Sequence, residues 1–282
     1  MSSPLPSPHV VRRGEGLPLL IVHGYGVDHT MMLELDDAFA DQPWQRLYID
    51  LPGFGRTEAL PPPGGLPEYA NWLDQAASTL IGDTPFAVAG HSMGGLLAAD
   101  LLHRRREQCR GIALLAPPVL PDRDERTLPD AGVVHDDPEL MASLEEEDRE
   151  VYEPVSVVRS PSNWERFRRA ALPGIRAVDP DATDRLDERY HLDGCVTDYL
   201  ADYDRPVMMV TGKQDAVVGY EDQWELSRRL IRCTFAALDR SGHNVHLDQP
   251  RVVRALLAEW GALASGIEDP GESASRDTRG GP

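Results

Sequence analysis

The stretch Pro85-Phe-Ala-Val-Ala89, Gly90-His-Ser-Met-Gly-Gly95, Leu96-Leu-Ala-Ala-Asp-Leu-Leu-His-Arg104 decides the fold of this 282-residue chain. Its first part is an apolar run without polar alternation, which predicts a buried strand, and its last part has the spacing of a helix. Between them lies G-x-S-x-G. A serine at a sharp strand-to-helix turn has strained backbone angles that lift its hydroxyl above the strand end. Gly90 and Gly94 leave room for neighbouring backbone to approach. The helix that starts after Ser92 sets backbone N–H groups and a positive dipole end where an oxyanion would develop. Alone, G-x-S-x-G is a weak signal; the flanking strand and helix give it weight over a glycine-rich helix start with an incidental serine.

Working outward, similar apolar runs occur at Leu17–Val22, Arg46–Asp50, Gly111–Ala116 and Pro206–Thr211, with a weaker one at Thr234–Leu238. Runs of this kind suit a parallel sheet covered on both faces. Helical spacing places Trp72, Leu73, Ala76, Ala77 and Leu80 on one face, and Val252, Val253, Leu256, Leu257 and Trp260 on another. Strands alternating with helices imply right-handed βαβ units in an open α/β sheet. Residues 117–204 break the rhythm: they are strand-poor and rich in proline and charge. Residues 121–153 hold 13 acidic residues against three arginines, and 159–176 hold five arginines and one glutamate. Such a segment between two strands reads as a helical insertion. Five units are therefore expected: a flexible start over 1–8, core over 9–116, the helical insertion over 117–204, core again over 205–262, and a disordered tail over 263–282.

A serine hydroxyl needs a base within hydrogen-bond reach. Of nine histidines, His243 has the right setting, in a loop after the last predicted strand and before the final helix, where parallel sheets place their chemistry. His246 is a near alternative, with packing its expected role. A His243/His246 metal pair lacks a third ligand nearby. His91 is expected under the turn, and the others solvent-facing or structural. The carboxylate that orients the base should also follow a strand. Asp215 does, 28 residues before His243; a surface loop aspartate is the alternative. After the first strong strand, His23-Gly-Tyr-Gly26 can turn a backbone N–H toward Ser92. Tyr25 N–H and Met93 N–H are the expected oxyanion hole, each donor contributing about 3 kcal/mol, with His23 as a brace. A phosphate loop is a poor reading, because no Lys-Ser/Thr follows the glycines. Asp50-Leu-Pro-Gly-Phe-Gly-Arg-Thr57 reads as a structural turn, with Gly53 and Gly55 permitting it and Arg56 bridging carboxylates.

The formal net charge of −19 repels phosphate backbones and acidic membranes, so neither nucleic acid nor membrane is an expected partner. Three dispersed cysteines without a CxxC argue against a disulfide framework or zinc site and fit a reducing cytoplasm. The first residues lack the apolar core of a signal peptide.

HGYG at 23–26, DLPGFGRT at 50–57, GHSMGG at 90–95, GKQDAVV at 212–218 and SGHNVHLDQP at 241–250, in this order and spacing, resemble the α/β-hydrolase superfamily over about residues 9–262. The resemblance implies a mostly parallel sheet of about eight strands flanked by helices, with a helical cap inserted after strand 6. It aligns Ser92, Asp215 and His243 with the family's catalytic triad. Two features depart from the pattern: the leading hairpin is short, and Thr57 stands where serine is common.

A fold alone does not name a substrate. Relatives that hydrolyse epoxides or remove halide from alkanes carry aspartate at the position of Ser92, which disfavours both. The cap weighs against cofactor-free haloperoxidases, and GHSMGG against iminopeptidases. The expected activity is hydrolysis of a small, neutral or weakly polar carboxylic ester, lactone or thioester through an acyl-enzyme on Ser92, with no cofactor. A carbon–carbon bond hydrolase of a diketone-type substrate and a slow-turnover ligand receptor are the alternatives. Tyr152, Trp164 and Phe167 are candidate pocket residues, with holding the cap to the core as their other reading. Arg166, Arg168 and Arg169 either bind a substrate carboxylate or, as preferred here, pair with the acidic half of the cap.

Overall fold

The structure is a computed structural model that describes residues 5–120, 122–130 and 132–266. Its strands are β1 (Val10–Arg13), β2 (Leu17–Val22), β3 (Trp44–Ile49), β4 (Phe86–His91), β5 (Cys109–Leu115), β6 (Val207–Gly212) and β7 (Cys233–Leu238). They form one sheet in the order β1-β3-β2-β4-β5-β6-β7, parallel except for β1, which runs antiparallel to β3. Among the described residues the sheet has seven strands, not about eight. Among the described residues one strand, the four-residue β1, precedes Leu17. The strand-poor segment therefore follows the fifth strand rather than the sixth.

Alternate residues of each central strand serve two different cores. Leu20, Val22, Val88, Leu114 and Met209 face one side of the sheet. That side is covered by α2 (Leu66–Ile81) and α3 (Met93–Arg104). Leu19, Ile21, Ala87, Ala89, Ala113 and Val210 face the other. That side packs α1 (His29–Leu33) and α12 (Pro250–Ser265). Burial on both faces is why these strands read as continuous apolar runs. The expected faces hold in the main: Trp72, Leu73, Ala76, Ala77, Val253, Leu257 and Trp260 are buried. Val252 is the exception, 42% exposed at the edge of its stripe.

Among the described residues, 117–204 form six short α-helices, two 3-10 turns (Arg123–Glu125 and Glu153–Val155) and a single isolated bridge between His135 and Val158. The helices are α4 (Pro138–Ser143), α5 (Glu146–Tyr152), α6 (Pro161–Ala170), α7 (Leu172–Arg176), α8 (Pro180–Glu188) and α9 (Val196–Leu200). Four of them open with proline in the first turn, where its missing N–H is no loss. α9 packs on α3 of the core. α10 (Glu221–Ser227) and the single turn α11 (Val245–Asp248) lie between β6 and α12.

Within the expected flexible start, 1–8, the Pro6 carbonyl accepts the Trp72 indole N–H at 2.8 Å; its residues 1–4 lie outside the described residues. α12 extends to Ser265, and 267–282 of the expected disordered tail lie outside them too. No helix of the described residues is long and apolar enough to cross a membrane.

Candidate active site

Three strands deliver one residue each to the same end of the sheet. β2 and β4 are neighbours, but their onward connections run to opposite sides, to β3 and β5. That divergence opens a crevice above their carboxyl ends. Ser92 follows β4 with φ 52° and ψ −123°, a backbone conformation that side chains rarely adopt and that the surroundings must enforce. They do so by crowding. A Cβ at Gly94 would fall on the carbonyl oxygens of His23 and Val22, and one at Gly90 on the Gly94 carbonyl. The Ser92 N–H donates to the Leu115 carbonyl at 2.9 Å, tying the turn to β5.

His243 comes from the loop after β7 and Asp215 from the loop after β6. His243 Nε2 lies 2.9 Å from Ser92 Oγ, and His243 Nδ1 lies 2.9 Å from Asp215 Oδ2. Asp215 is fully buried, and its other oxygen accepts the N–H groups of Val217 at 2.8 Å and Val218 at 3.1 Å. Those donors fix the carboxylate so that it accepts from Nδ1–H and leaves Nε2 as the acceptor facing the serine. The arrangement can draw the proton from Ser92 Oγ as the oxygen attacks an electrophile.

His91 lies under the turn, 3% exposed, and its Nε2–H donates to the His243 carbonyl at 3.0 Å. Burial and the neighbouring imidazoles of His243 and His246 hold its pKa well below the ordinary histidine value. His246 is buried as well, and burial pushes its pKa down to about 3. His23 braces the loop that follows β2: its Nδ1–H donates to the Gly24 carbonyl at 2.7 Å, and its Nε2 accepts the Leu51 N–H at 2.9 Å. Burial lowers its pKa, in keeping with a neutral ring. Among the described residues, neither the Tyr25 nor the Met93 N–H meets a protein acceptor within hydrogen-bond distance. The Tyr25 hydroxyl donates to Asp187 on α8 at 3.0 Å. Burial and then this carboxylate push its pKa up to about 12.

A cavity of about 280 Å³ adjoins His243, walled by Val133, Pro154, Val155, Val157, Ala216 and Val217, with Glu153, Ser156, Arg159 and Gln214 also in its lining. Tyr152, Trp164 and Phe167 are not in that wall. They pack on one another, with Tyr152 5.1 Å from each of the other two ring centroids, in the core shared by the 117–204 segment and the sheet. Of the three arginines, Arg168 pairs with Glu165 of its own helix and Arg169 with Glu34 of the core. Arg166 Nε donates to the Leu247 carbonyl at 2.7 Å. The acidic stretch 121–153 is met instead by Arg159, through Asp136 and Glu153, and by Arg176, through Asp148.

One group of three residues within the described chain has the donor types of a metal site: His9, His29 and Asp50. Hydrogen bonds already account for it. Asp50 accepts from His9 Nδ1 at 2.8 Å, from His29 Nδ1 at 2.7 Å and from the backbone N–H groups of His29 and Arg56. These bonds outweigh burial and bring its carboxyl down to about 2. Arg56 thus reaches Asp50 through its backbone N–H, where its side chain was the expected bridge. Gly55 is required here, since a Cβ would meet the Asp50 carboxylate.

Sequence reasoning passed over a second carboxylate, Asp248. Its Oδ2 accepts the Gly242 N–H at 2.8 Å and its Oδ1 the Asn163 amide at 2.7 Å; burial pushes its carboxyl up to about 6. The signal available was an acid five residues after the candidate base and two before Pro250.

A doubly covered α/β sheet with an elbow serine, a histidine and a carboxylate at its strand ends is the frame of an α/β hydrolase. The alpha/beta hydrolase fold model matches residues 18–250, and the chain belongs to that family. It is 32% identical over 130 residues to a pimeloyl-[acyl-carrier protein] methyl ester esterase of Shewanella woodyi, covering 46% of either chain. It is 30% identical over 108 residues to an (E)-2-((N-methylformamido)methylene)succinate hydrolase of Acinetobacter baylyi, covering 38% of this chain and 40% of that one. The matched parts span less than half the length of these curated relatives. In structure the chain is similar to an alpha/beta superfamily hydrolase from Oenococcus oeni PSU-1, with a TM-score of 0.84 over 94% of this chain and 100% of that one, at 23% identity.

Proposed function

We propose that this protein hydrolyses a small-molecule carboxylic ester through an acyl-enzyme on Ser92, with residues 117–204 as a cap over the site. The observation that carries this reading is the unbroken line Ser92 Oγ, His243 Nε2, His243 Nδ1, Asp215 Oδ2, with both hydrogen bonds 2.9 Å long, at a serine held in a strained turn. Ser92 Oγ attacks the carbonyl carbon while His243 takes its proton. The tetrahedral oxyanion is received by the Tyr25 and Met93 N–H groups. The alcohol leaves with the proton from His243, and a water deprotonated by the same imidazole frees the acid.

The mostly apolar wall of the cavity beside His243 suits a small uncharged portion of the substrate. The carbon–carbon cleavage alternative called on Arg166, Arg168 and Arg169 to hold a substrate carboxylate. All three are engaged in the contacts described above, which favours the ester.

The test is a panel of nitrophenyl esters of graded acyl length, with Ser92→Ala alongside. Wild-type turnover of short or medium esters, and a loss of at least about a thousandfold in the variant, is the expected result. Equal inactivity of the two proteins across the panel overturns the ester reading.

A further inference from the structure

The main chain around His243 is gripped from two sides. From the elbow, His91 Nε2–H donates to the His243 carbonyl. From the other side, Asp248 at the end of α11 accepts the N–H of Gly242, one residue ahead of the imidazole, and does so across six residues, so the bond is not an ordinary helix cap. The other oxygen of Asp248 accepts the amide of Asn163, which lies 85 residues away in sequence on α6 and is 2% exposed. Asn163 is used at both ends, because its carbonyl oxygen accepts the Tyr152 hydroxyl at 2.9 Å. One turn further along α6, Arg166 holds the Leu247 carbonyl. The loop also touches the cap directly: a Cβ at Gly242 would stand 2.9 Å from a Val157 methyl. Cap helix, carboxylate and base loop therefore form one connected set of polar contacts, which the proton path itself does not use.

We propose that Asp248 and Asn163 are positioning residues for the base, through which the seat of cap helix α6 sets the alignment of His243 with Ser92. The proposal rests on the serine-hydrolase reading above. Asn163 suits the task because an amide can donate to Asp248 and accept from Tyr152 together, whereas an aspartate there lacks the donor and places two carboxylates face to face. Misplacing a proton acceptor by a fraction of an ångström slows the chemical step while leaving substrate binding largely intact.

The experiment compares the wild type with Asn163→Ala, Asn163→Asp, Asp248→Asn and Arg169→Ala on a short nitrophenyl ester, reading kcat and KM separately along with Tm. Arg169→Ala removes a different contact of α6 with the core, the Glu34 ion pair, and controls for mere loosening of the cap. Expected are kcat losses on the order of 10- to 100-fold in the Asn163 and Asp248 variants, with KM within about twofold and kcat unchanged in Arg169→Ala. A second readout needs no turnover: the low-field proton resonance of His243 Nδ1–H, identified by its loss in His243→Gln, should shift or broaden in Asn163→Ala. Folded Asn163 and Asp248 variants with wild-type kcat overturn the proposal. So do equal kcat losses in Arg169→Ala at matched Tm. If the wild type turns over no ester, the serine reading fails on its own, and an unmoved resonance in Asn163→Ala then overturns the positioning proposal independently.

Discussion

At Ser92, geometry and the proposed reactivity have the same cause. The residue is forced to φ 52° because Gly94 lies flat on the His23 and Val22 carbonyls, and that conformation aims Oγ at His243. Asp215 shows how a single proton sets function. It accepts two backbone N–H groups as well as the imidazole, so an amide at this position meets donors where an acceptor is required. Asp215→Asn should keep the fold and lower kcat on the order of 10⁴-fold, through the wrong imidazole tautomer; steady-state kinetics beside a thermal melt check both halves of that statement. Ser92, His243 and Asp215 were legible because each follows an apolar run. Asp248 and Asn163 were not, because their meaning lies in a contact between segments 85 residues apart, and no local pattern encodes that.

At the scale of elements, β2 to β7 were read to within two residues at either end because burial on both faces leaves apolar runs, whereas the half-exposed, four-residue β1 left no such run. The cap helices were not resolved one by one. All six are five to ten residues long, shorter than the window in which a helical period can be distinguished. Prolines at their starts mark boundaries, but they do not show how the helices stack. α6 is the instructive case, since its aromatic residues looked equally able to line a pocket or to hold the cap. Phe167 is 3% exposed and packs on Tyr152. Phe167→Ala should therefore destabilise the protein by about 3 to 5 kcal/mol, seen as a lower denaturation midpoint. A stability unchanged from wild type would place the ring in a substrate pocket instead.

Across the whole molecule, three neutral imidazoles are enclosed: His23, His91 and His246, each with its pKa lowered by burial. An unfolded histidine titrates near 6.5, so below that pH the unfolded chain binds protons that the fold refuses. The stability these residues contribute is whole above 6.5 and falls as pH drops, down to about 3 for His246. Each removes up to about 1.4 kcal/mol per pH unit. Asp248 works in the opposite direction. Raised to about 6 from 3.8, it takes its proton earlier in the fold and returns some stability as pH falls between those values. Tm measured from pH 8 to 4.5 should decline overall, and His246→Leu should flatten the decline. An equally steep profile in that variant would show the titrating groups to be elsewhere.

The Tyr25 hydroxyl bond to Asp187 of α8 joins the loop proposed to cradle the oxyanion to a helix of the cap. A bulky acyl chain that wedges α8 outward pulls on the same peptide that must receive the negative charge. Selectivity would then be exercised at the moment of reaction, with oversized esters admitted but processed slowly. Along a series of lengthening acyl chains kcat should fall before KM rises, and Tyr25→Phe, which cuts the tether, should level the series.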